Sequence, residues 1–337
     1  MATTYILLLP LLASFCITLF FLPAWIRRAK RARLTGKDMN KIDKQEVAEA
    51  GGVTVIAGFI LGVSLYIALK TFYFQTTENV LEIFSLISSI LLVSFIGIID
   101  DILGWKIGLG KRIRIFLTII AAIPLVIINA GESSINLPFF ENINLGIIYP
   151  LIIIPLGIVG ASTTFNFLAG YNGLEARQGI LLLSALAIAT WFTGNSWLTI
   201  VSLCMIASLA AFLLFNNFPA QVFPGDVMTY AVGALIAVLS ILGNLEKFAL
   251  FIFIPYIIEV ILKVRGKLSK ESFALPKEDG SLNLPYSSLY GLEHFALMTL
   301  KKYKNKVYEK DVVWFINLLQ AGIIIIAFII FKEGIFL

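Results

Sequence analysis

Several acidic side chains stand at the ends of strongly apolar segments, where a carboxylate needs a compensating charge. Asp100 and Asp101 are adjacent at the end of the apolar run 90–99, and Asp226 opens another apolar run. Two neighbouring carboxylates at the C-terminal end of a helix repel each other and oppose the helix dipole. A divalent metal ion, or a basic side chain such as that of Lys111, would balance them. The plainer interpretations are a helix-ending pair that faces water and an N-terminal helix cap.

A second polar segment interrupts an apolar stretch between Asn166 and Glu175. Gly170 and Gly173 allow backbone conformations that end a helix, and such breaks at membrane depth line cavities or ion sites. The side-chain oxygen of Asn166 suits Mg²⁺, and the amide of Asn172 can pair with the edge of a base. A simple polar loop between two helices is the alternative.

A basic segment, residues 27–44, follows the first apolar run and is itself followed by Glu49 and two glycines. Basic side chains near a membrane attract anionic lipid headgroups. That attraction explains the charge but not the ordered pattern of Gly, Asp, Asn and Lys that ends at Lys41. Recognition of a phosphorylated lipid or of a nucleotide accounts for both features.

Together these residues are suited to phosphoryl transfer. Asn166, Asp226 and the acidic pair at 100–101 supply hard oxygen ligands for Mg²⁺ or Mn²⁺, and the lysines suit phosphates. Phosphoryl transfer depends on charge neutralisation and in-line positioning more than on covalent chemistry. The chain has a single histidine, His294, in an interfacial helical pattern, which excludes a metal site built from a histidine cluster.

The elements that must position these residues are membrane-spanning helices. Of the 337 residues, 59% are hydrophobic and 14% are charged, whereas a soluble domain carries about 25% charged residues. Continuous apolar runs of bilayer length predict an all-α, polytopic membrane protein in which residues 1–337 form a single domain. The ten predicted spans are 5–26, 51–70, 81–99, 113–130, 147–166, 179–194, 197–215, 227–243, 247–264 and 313–332.

The basic residues predict the orientation. All but three of the 26 Lys and Arg residues fall on one side of the ten spans, and Lys70, Lys247 and Lys332 fall on the other. The positive-inside rule makes the basic side cytoplasmic and places both termini outside. We therefore expect a multi-pass protein of the plasma membrane whose active site faces the cytoplasm. The predicted cytoplasmic loops are 27–50, 100–112, 167–178, 216–226 and 265–312.

Four stretches resemble motifs of the polyprenyl-phosphate N-acetylhexosamine-1-phosphate transferase superfamily, glycosyltransferase family 4. They are 32–41 (ARLTGKDMNK), 95–103 (FIGIIDDIL), 166–178 (NFLAGYNGLEARQ) and 222–226 (VFPGD). They occur in the family's order, and ten spans match its fold. Within the superfamily the chain is most similar to the transferases that act on UDP-GlcNAc and dolichyl phosphate, and its compact loops fit an archaeal member.

The resemblance implies a role for each matching residue. Mg²⁺ would be held by Asn166 and Asp226, and the uridine end would contact Asn172 and Glu49. Asp100 and Asp101 would lie beside the carrier phosphate or the metal, and Lys111 would contact phosphate. The remaining residues expected near the substrates are Lys41, Gly173, Glu175 and Lys270.

The implied reaction transfers GlcNAc-1-phosphate from UDP-GlcNAc to dolichyl phosphate and releases UMP, the first membrane step of lipid-linked oligosaccharide synthesis for protein N-glycosylation. The eukaryotic enzymes carry an Arg-His-Arg cluster in their last cytoplasmic loop, whereas residues 270–276 here read KESFALP. Another UDP-linked N-acetyl sugar therefore stays open, as does undecaprenyl phosphate as carrier in cell-envelope synthesis. A homodimer is left open, and no nucleic-acid partner is expected.

A secondary transporter or lipid flippase is the main alternative of another class, because broken helices and intramembrane acids suit transporters too. Transporters, however, place their polar groups near the midplane of the bilayer, in helices that are matched between two halves of the chain. Here the polar groups lie at one face, which favours an enzyme.

Overall fold

The computed structural model describes residues 5–104, 108–135 and 143–336, so part of the predicted loop 100–112 lies outside the described residues. Helices make up most of the chain. They are α1 (Leu8–Arg31), α2 (Gly52–Ala68), α3 (Val80–Leu103), α4 (Lys111–Ala121), α5 (Ile123–Ile127), α6 (Ile154–Phe165), α7 (Leu174–Phe192), α8 (Ser196–Asn216), α9 (Gly225–Leu242), α10 (Glu246–Ile252), α11 (Ile254–Arg265), α12 (Leu292–Leu300), α13 (Glu309–Ile330) and α14 (Lys332–Ile335).

The strands form short antiparallel hairpins. They pair β1 (Thr35–Lys37) with β2 (Glu46–Ala48), β3 (Ser134–Ile135) with β4 (Ile143–Asn144), and β5 (Leu275–Pro276) with β6 (Leu282–Asn283). In the first hairpin Thr35 pairs with Ala48, and Ala48 also bridges to Val222 just before α9. The basic segment is thereby fastened to the start of α9.

Six helices in the described part of the chain are long and apolar enough to cross a bilayer: α1, α2 with its π-helical extension to Tyr73, α3, α8, α9 and α13. The chain is thus a multi-pass membrane protein, and the total of ten spans stays a prediction. Three of the predicted spans, 113–130, 147–166 and 247–264, consist of two shorter helical pieces, and the first piece of 147–166 is a π-helix, Tyr149–Ile153. Pro124, Pro155 and Pro255 each stand in the first turn of a second piece, because proline lacks the N–H that would continue a helix.

Helix α9 lies at the centre of the bundle. Every residue from Val227 to Ile241 is buried, as expected for a helix that is apolar on all sides. Helices α2, α3, α6 and α7 pack around it. The N-terminal end of α9, which carries Asp226, is therefore held by several neighbouring helices.

Helix α3 approaches α9 closely at Gly97. A Cβ atom at this position would lie 2.5 Å from the backbone nitrogen of Val227 and 2.7 Å from the carbonyl carbon of Asp226. Since only glycine allows backbones to meet at this distance, Gly97 brings the C-terminal end of α3 against the N-terminal end of α9.

We expect Gly97→Ala to destabilise the protein by about 1–3 kcal/mol, because the added methyl group must push two helix backbones apart. The measurement is thermal unfolding in detergent. Gly160→Ala in α6 is the matched control, because a Cβ there meets no atom within 4 Å. Equal melting temperatures for the two variants would contradict the close packing described here.

Candidate active site

The C-terminal end of α3 and the N-terminal end of α9 meet through Asp101. Its Oδ1 accepts a hydrogen bond from the backbone N–H of Asp226 at 2.7 Å, and its Oδ2 accepts one from Val227 at 3.1 Å. These amides belong to the first turn of α9, whose N–H groups have no partner within the helix. Asp101 thus caps α9 from a neighbouring helix and fixes the position of Asp226.

Asp100 and Asp226 both pair with Arg114 of α4. Its Nη1 lies 2.9 Å from Oδ2 of Asp100 and 3.2 Å from Oδ2 of Asp226. The other oxygen of Asp100 accepts the backbone N–H of Leu109. The carboxylates that the sequence predicts to need a counter-charge therefore have one.

The structure places the predicted phosphate ligand Lys111 differently. Lys111 is the first residue of α4 and its side chain is exposed, whereas Arg114, one helical turn later, points to the carboxylates. Sequence reasoning missed Arg114, although the run from Lys111 to Arg114 offered three cations. A contact of Lys111 with phosphate stays a prediction.

Asn166 completes the group at the end of α6. Its Nδ2 donates to Oδ1 of Asp226 at 3.1 Å, and its Oδ1 accepts the hydroxyl of Thr229 at 2.8 Å. The four predicted residues Asp100, Asp101, Asn166 and Asp226 are thus linked through one another and through Arg114. Thr229, one turn into α9 from Asp226, is a further member that the sequence analysis did not single out.

The donor set fits a hard divalent cation. Carboxylate and amide oxygens are the ligands that Mg²⁺ prefers, and Arg114 shows that a cationic group can sit between Asp100 and Asp226. Rotating the Asn166 amide by 180° would direct its oxygen towards Asp226. The amide nitrogen would then donate to the hydroxyl of Thr229, which can act as donor or acceptor. Among the described residues, no three His, Cys, Asp or Glu side chains are already arranged as a metal site.

The loop after Asn166 has the glycine-dependent shape that its sequence predicts. Gly170 and Gly173 have φ angles of +100° and +79°. The buried side chain of Glu175 accepts the N–H of Gly170 at 2.9 Å, and Asn40 Nδ2 donates to the carbonyl oxygen of Gly170 at 2.8 Å. Glu175, predicted to bind substrate, holds the loop in the structure, and a substrate contact stays a prediction.

Asn172 and Lys41 are brought together by a residue that the sequence analysis did not select, Asp38. Asn172 Nδ2 donates to Oδ2 of Asp38 at 3.1 Å, and Lys41 Nζ lies 2.6 Å from the same oxygen. The backbone N–H of Asn172 donates to Oε1 of Glu309, at the start of α13, at 2.6 Å. The basic hairpin, the glycine loop and α13 therefore meet at Asn172.

Glu49 lies between the hairpin and the carboxylates. A Cβ added at Gly36 would meet Oε1 of Glu49 and also Phe223, so the three residues are neighbours. Burial raises the pKa of the Glu49 carboxyl to about 8, and the negative charge of Asp101 adds to the shift. Glu49 is therefore protonated at neutral pH and can donate a hydrogen bond.

This pKa predicts a pH-dependent stability. In the unfolded chain Glu49 loses its proton near pH 4.5, whereas in the folded protein it keeps the proton to about pH 8. Between these values the folded state binds more protons, so stability falls as pH rises, by at most about 1.4 kcal/mol per pH unit. We expect the melting temperature of wild type, relative to Glu49→Gln, to fall over this range and then level off.

The exposed Glu278 is the control for this measurement. The difference between wild type and Glu278→Gln should not change with pH in the same way. If the difference in melting temperature between wild type and Glu49→Gln did not change between pH 4.5 and pH 8, the Glu49 carboxyl would not be shielded from water.

Lys270 and His294 contact neighbouring side chains of the segment between α11 and α13. Lys270 Nζ lies 4.8 Å from the ring centre of Tyr286 and 5.7 Å from that of Tyr290. His294 is fully buried on α12, and burial with the positive charge of Lys263 lowers its pKa to about 4. The imidazole is therefore neutral at pH 7, and a contact of Lys270 with substrate stays a prediction.

Comparison with known proteins places these residues in a family. The family model described as glycosyl transferase family 4 matches residues 83–244, a range that contains Asp100, Asn166 and Asp226. A protein of Saccharolobus solfataricus is 42% identical over 279 residues, 82% of this chain and 83% of that protein. A protein of Sulfolobus acidocaldarius is 32% identical over 317 residues, 94% of each chain.

The two archaeal relatives share one name, and a bacterial relative has another. Both archaeal proteins are provisionally named UDP-N-acetylglucosamine–dolichyl-phosphate N-acetylglucosaminephosphotransferase. A phospho-N-acetylmuramoyl-pentapeptide-transferase of Streptococcus pneumoniae is 31% identical over 252 residues, 73% of this chain and 76% of the bacterial protein. Identity at this level over more than two thirds of the chain shows common membership of one family.

Proposed function

Because the chain belongs to glycosyl transferase family 4, we propose that it transfers N-acetylglucosamine 1-phosphate from UDP-N-acetylglucosamine to dolichyl phosphate and releases UMP. The observation that carries the proposal is the single cluster of Asp100, Asn166 and Asp226 around Arg114 at the ends of apolar helices. The names of the two archaeal relatives support the choice of substrates.

Asp226 and Asn166 are the residues that would hold Mg²⁺. When bound there, the ion would neutralise the pyrophosphate of the sugar nucleotide and stabilise the departing UMP. Asp101 serves this arrangement indirectly, because its two oxygens hold the first amides of α9 and so keep Asp226 in place.

Arg114 is suited to bind the phosphate of the carrier lipid. A guanidinium group pairs with phosphate through two parallel hydrogen bonds, and it stays charged at any physiological pH. Asp100 orients Arg114 through the contact at 2.9 Å. We therefore assign Asp100 a positioning role rather than that of a general base, since a phosphate monoester, with a second pKa near 6, is largely the dianion at neutral pH.

The reaction itself needs no proton transfer. A carrier phosphate oxygen attacks the β-phosphorus, the bond between that phosphorus and the oxygen bridging to the α-phosphate breaks, and UMP leaves with the electron pair. The protein contributes charge neutralisation and alignment, the main requirements of phosphoryl transfer.

The uridine end of the donor would lie at the hairpin and the glycine loop. Asn172 offers both a donor and an acceptor to a base edge, and the protonated Glu49 adds a donor. Lys41, paired with Asp38, and the turn at Gly173 complete this part of the site. The same chemistry on undecaprenyl phosphate, or with another UDP-linked N-acetyl sugar, is the alternative that the bacterial relative supports.

We further propose that the chain spans the plasma membrane ten times, with both termini outside and the active site on the cytoplasmic side. The support is the one-sided distribution of Lys and Arg residues. Accessibility of cysteines introduced at Lys44 and at Lys332, tested with a membrane-impermeant thiol reagent in intact cells, checks the orientation.

The function is tested with purified protein, UDP-N-acetylglucosamine labelled in the sugar, dolichyl phosphate and Mg²⁺. The expected result is label that partitions into organic solvent, with release of UMP and loss of both products in EDTA. Transfer from another UDP-sugar but not from UDP-N-acetylglucosamine would show that the donor is a different one and that the type of reaction is the same. No transfer from any sugar nucleotide by folded protein would overturn the proposal.

A further inference from the structure

A small basic cleft lies beside the candidate active site, at the adjoining ends of α7 and α13. It has a volume of about 230 Å³, and its lining includes Arg177, Asn217, Phe218, Lys310 and Trp314. Among the described residues, its lining holds two cations and no acidic side chain. It shares Asn172 with the candidate active site but none of the residues Asp100, Asn166 and Asp226.

The two cations are held in place without being neutralised. The guanidinium of Arg177 lies 5.2 Å from the ring centre of Trp314, and its Nη2 donates to Oδ1 of Asn217 at 2.7 Å. Lys310 Nζ lies 4.9 Å from the ring centre of Phe218. Within the described part of the chain, neither cation forms an ion pair with a carboxylate. The cleft therefore carries positive charge that an anion can balance.

Exposed apolar side chains run from the cleft along α7 and α13. Trp314 is 56% exposed, and the exposed Leu318 and Ile325 continue its stripe along the spanning helix α13. On α7, the partly exposed Leu181 and the exposed Ile188 follow Arg177 on the same face. Tryptophan and basic residues at the end of apolar helices are typical of the headgroup level of a bilayer.

We propose that this cleft binds the phosphate diester of an anionic phospholipid of the surrounding membrane. The phosphate contacts Arg177 and Lys310, and the acyl chains lie along the apolar stripes below Trp314. Arginine suits a phosphate diester because its fork of N–H groups pairs with two oxygens, and each basic residue near an anionic leaflet strengthens binding.

Besides the shared Asn172, a residue of α13 connects the cleft to the catalytic side. Glu309 precedes Lys310 and accepts the N–H of Asn172. A lipid that holds the start of α13 therefore also steadies the loop of Asn172. The cleft borders the proposed uridine site at Asn172, but the lipid phosphate would contact Arg177 and Lys310, so UMP should not displace the lipid.

The test is lipid binding by the full-length protein in neutral detergent, followed by native mass spectrometry and thermal unfolding. Phosphatidylglycerol should bind and raise the melting temperature, whereas phosphatidylcholine should not. In the Arg177→Gln/Lys310→Gln variant the half-saturating concentration of phosphatidylglycerol should rise about ten- to thirtyfold.

The matched control is Lys304→Gln/Lys306→Gln, which removes the same charge from side chains that are 51% and 59% exposed. The control should bind phosphatidylglycerol like wild type. If both double variants bound phosphatidylglycerol equally weakly, the proposal would be overturned, because the lipid would then be attracted by the general surface charge and not by the cleft. Equal stabilisation by inorganic phosphate alone would overturn the lipid assignment, and displacement of the lipid by UMP would place the cleft in the nucleotide site.

A second measurement does not require the double variant to fold. Phosphatidylglycerol brominated on its acyl chains should quench tryptophan fluorescence more than brominated phosphatidylcholine. The difference should disappear in Trp314→Phe, because that ring lies in the cleft. If the difference persists in Trp314→Phe, the lipid binds elsewhere and the proposal fails.

Discussion

Replacing Asp226 by asparagine is expected to lower kcat/KM for transfer by about 10²- to 10³-fold, the usual loss when one charge-stabilising group is removed from an active site. The change keeps the side-chain volume but removes the charge that faces Arg114 and would face Mg²⁺. The measurement is initial rates of lipid-linked product formation. Stabilisation of the protein by Mg²⁺ in thermal unfolding should weaken in parallel, which tests the metal independently of turnover.

Asp279→Asn is the control for this experiment. Asp279 is exposed on the last loop and pairs with Lys306 at 2.8 Å, so it carries the same charge away from the site. The control should transfer like wild type and keep its response to Mg²⁺. A fully active Asp226→Asn variant would remove Asp226 from the reaction and with it the proposed metal site.

The grouping of the main site residues could be predicted from the sequence. Asp100 and Asp101 end one apolar run, Asp226 opens another, and Asn166 ends a third. At helix ends on one membrane face such polar groups can reach both water and each other. Their direct links in the structure follow from that constraint, together with the close contact at Gly97.

The finer geometry could not be predicted, because it depends on contacts between distant segments. Asn172 and Asp38 are 134 residues apart in the chain and share a hydrogen bond. To predict that Arg114 rather than Lys111 contacts the carboxylates, one must know where α4 begins and which of its faces points inward. An error of one or two residues in the predicted helix start changes which side chain faces inward.

The helix breaks show the same limit. Continuous apolar runs predicted uninterrupted spans over 113–130 and 247–264, but each span is divided into two consecutive helices just before Pro124 and Pro255. Proline is tolerated within apolar membrane segments when neighbours satisfy the freed backbone groups. Whether a given proline breaks a span is therefore decided by its neighbours in the fold.

Replacing Arg114 by methionine is expected to reduce transfer by about 10²- to 10³-fold and to destabilise the metal-free protein. The reason is that Asp100 and Asp226 lose the cation that they share, and the carrier phosphate loses its guanidinium partner. Millimolar Mg²⁺ should restore part of the lost melting temperature, because it supplies positive charge to the same carboxylates. It should not restore activity, because the contact with phosphate is still missing.

Arg112→Met is the matched control, since Arg112 is exposed two residues earlier on the same helix. It should leave both activity and the Mg²⁺ response unchanged. Arg114→Lys should keep part of the stability and less of the activity, because a lysine keeps the charge but cannot pair with phosphate through two hydrogen bonds. If the Arg114→Met variant were inactive but had the melting temperature of wild type in the absence of metal, the guanidinium would serve only to bind the substrate. The ion pairs with Asp100 and Asp226 would then add nothing to the fold.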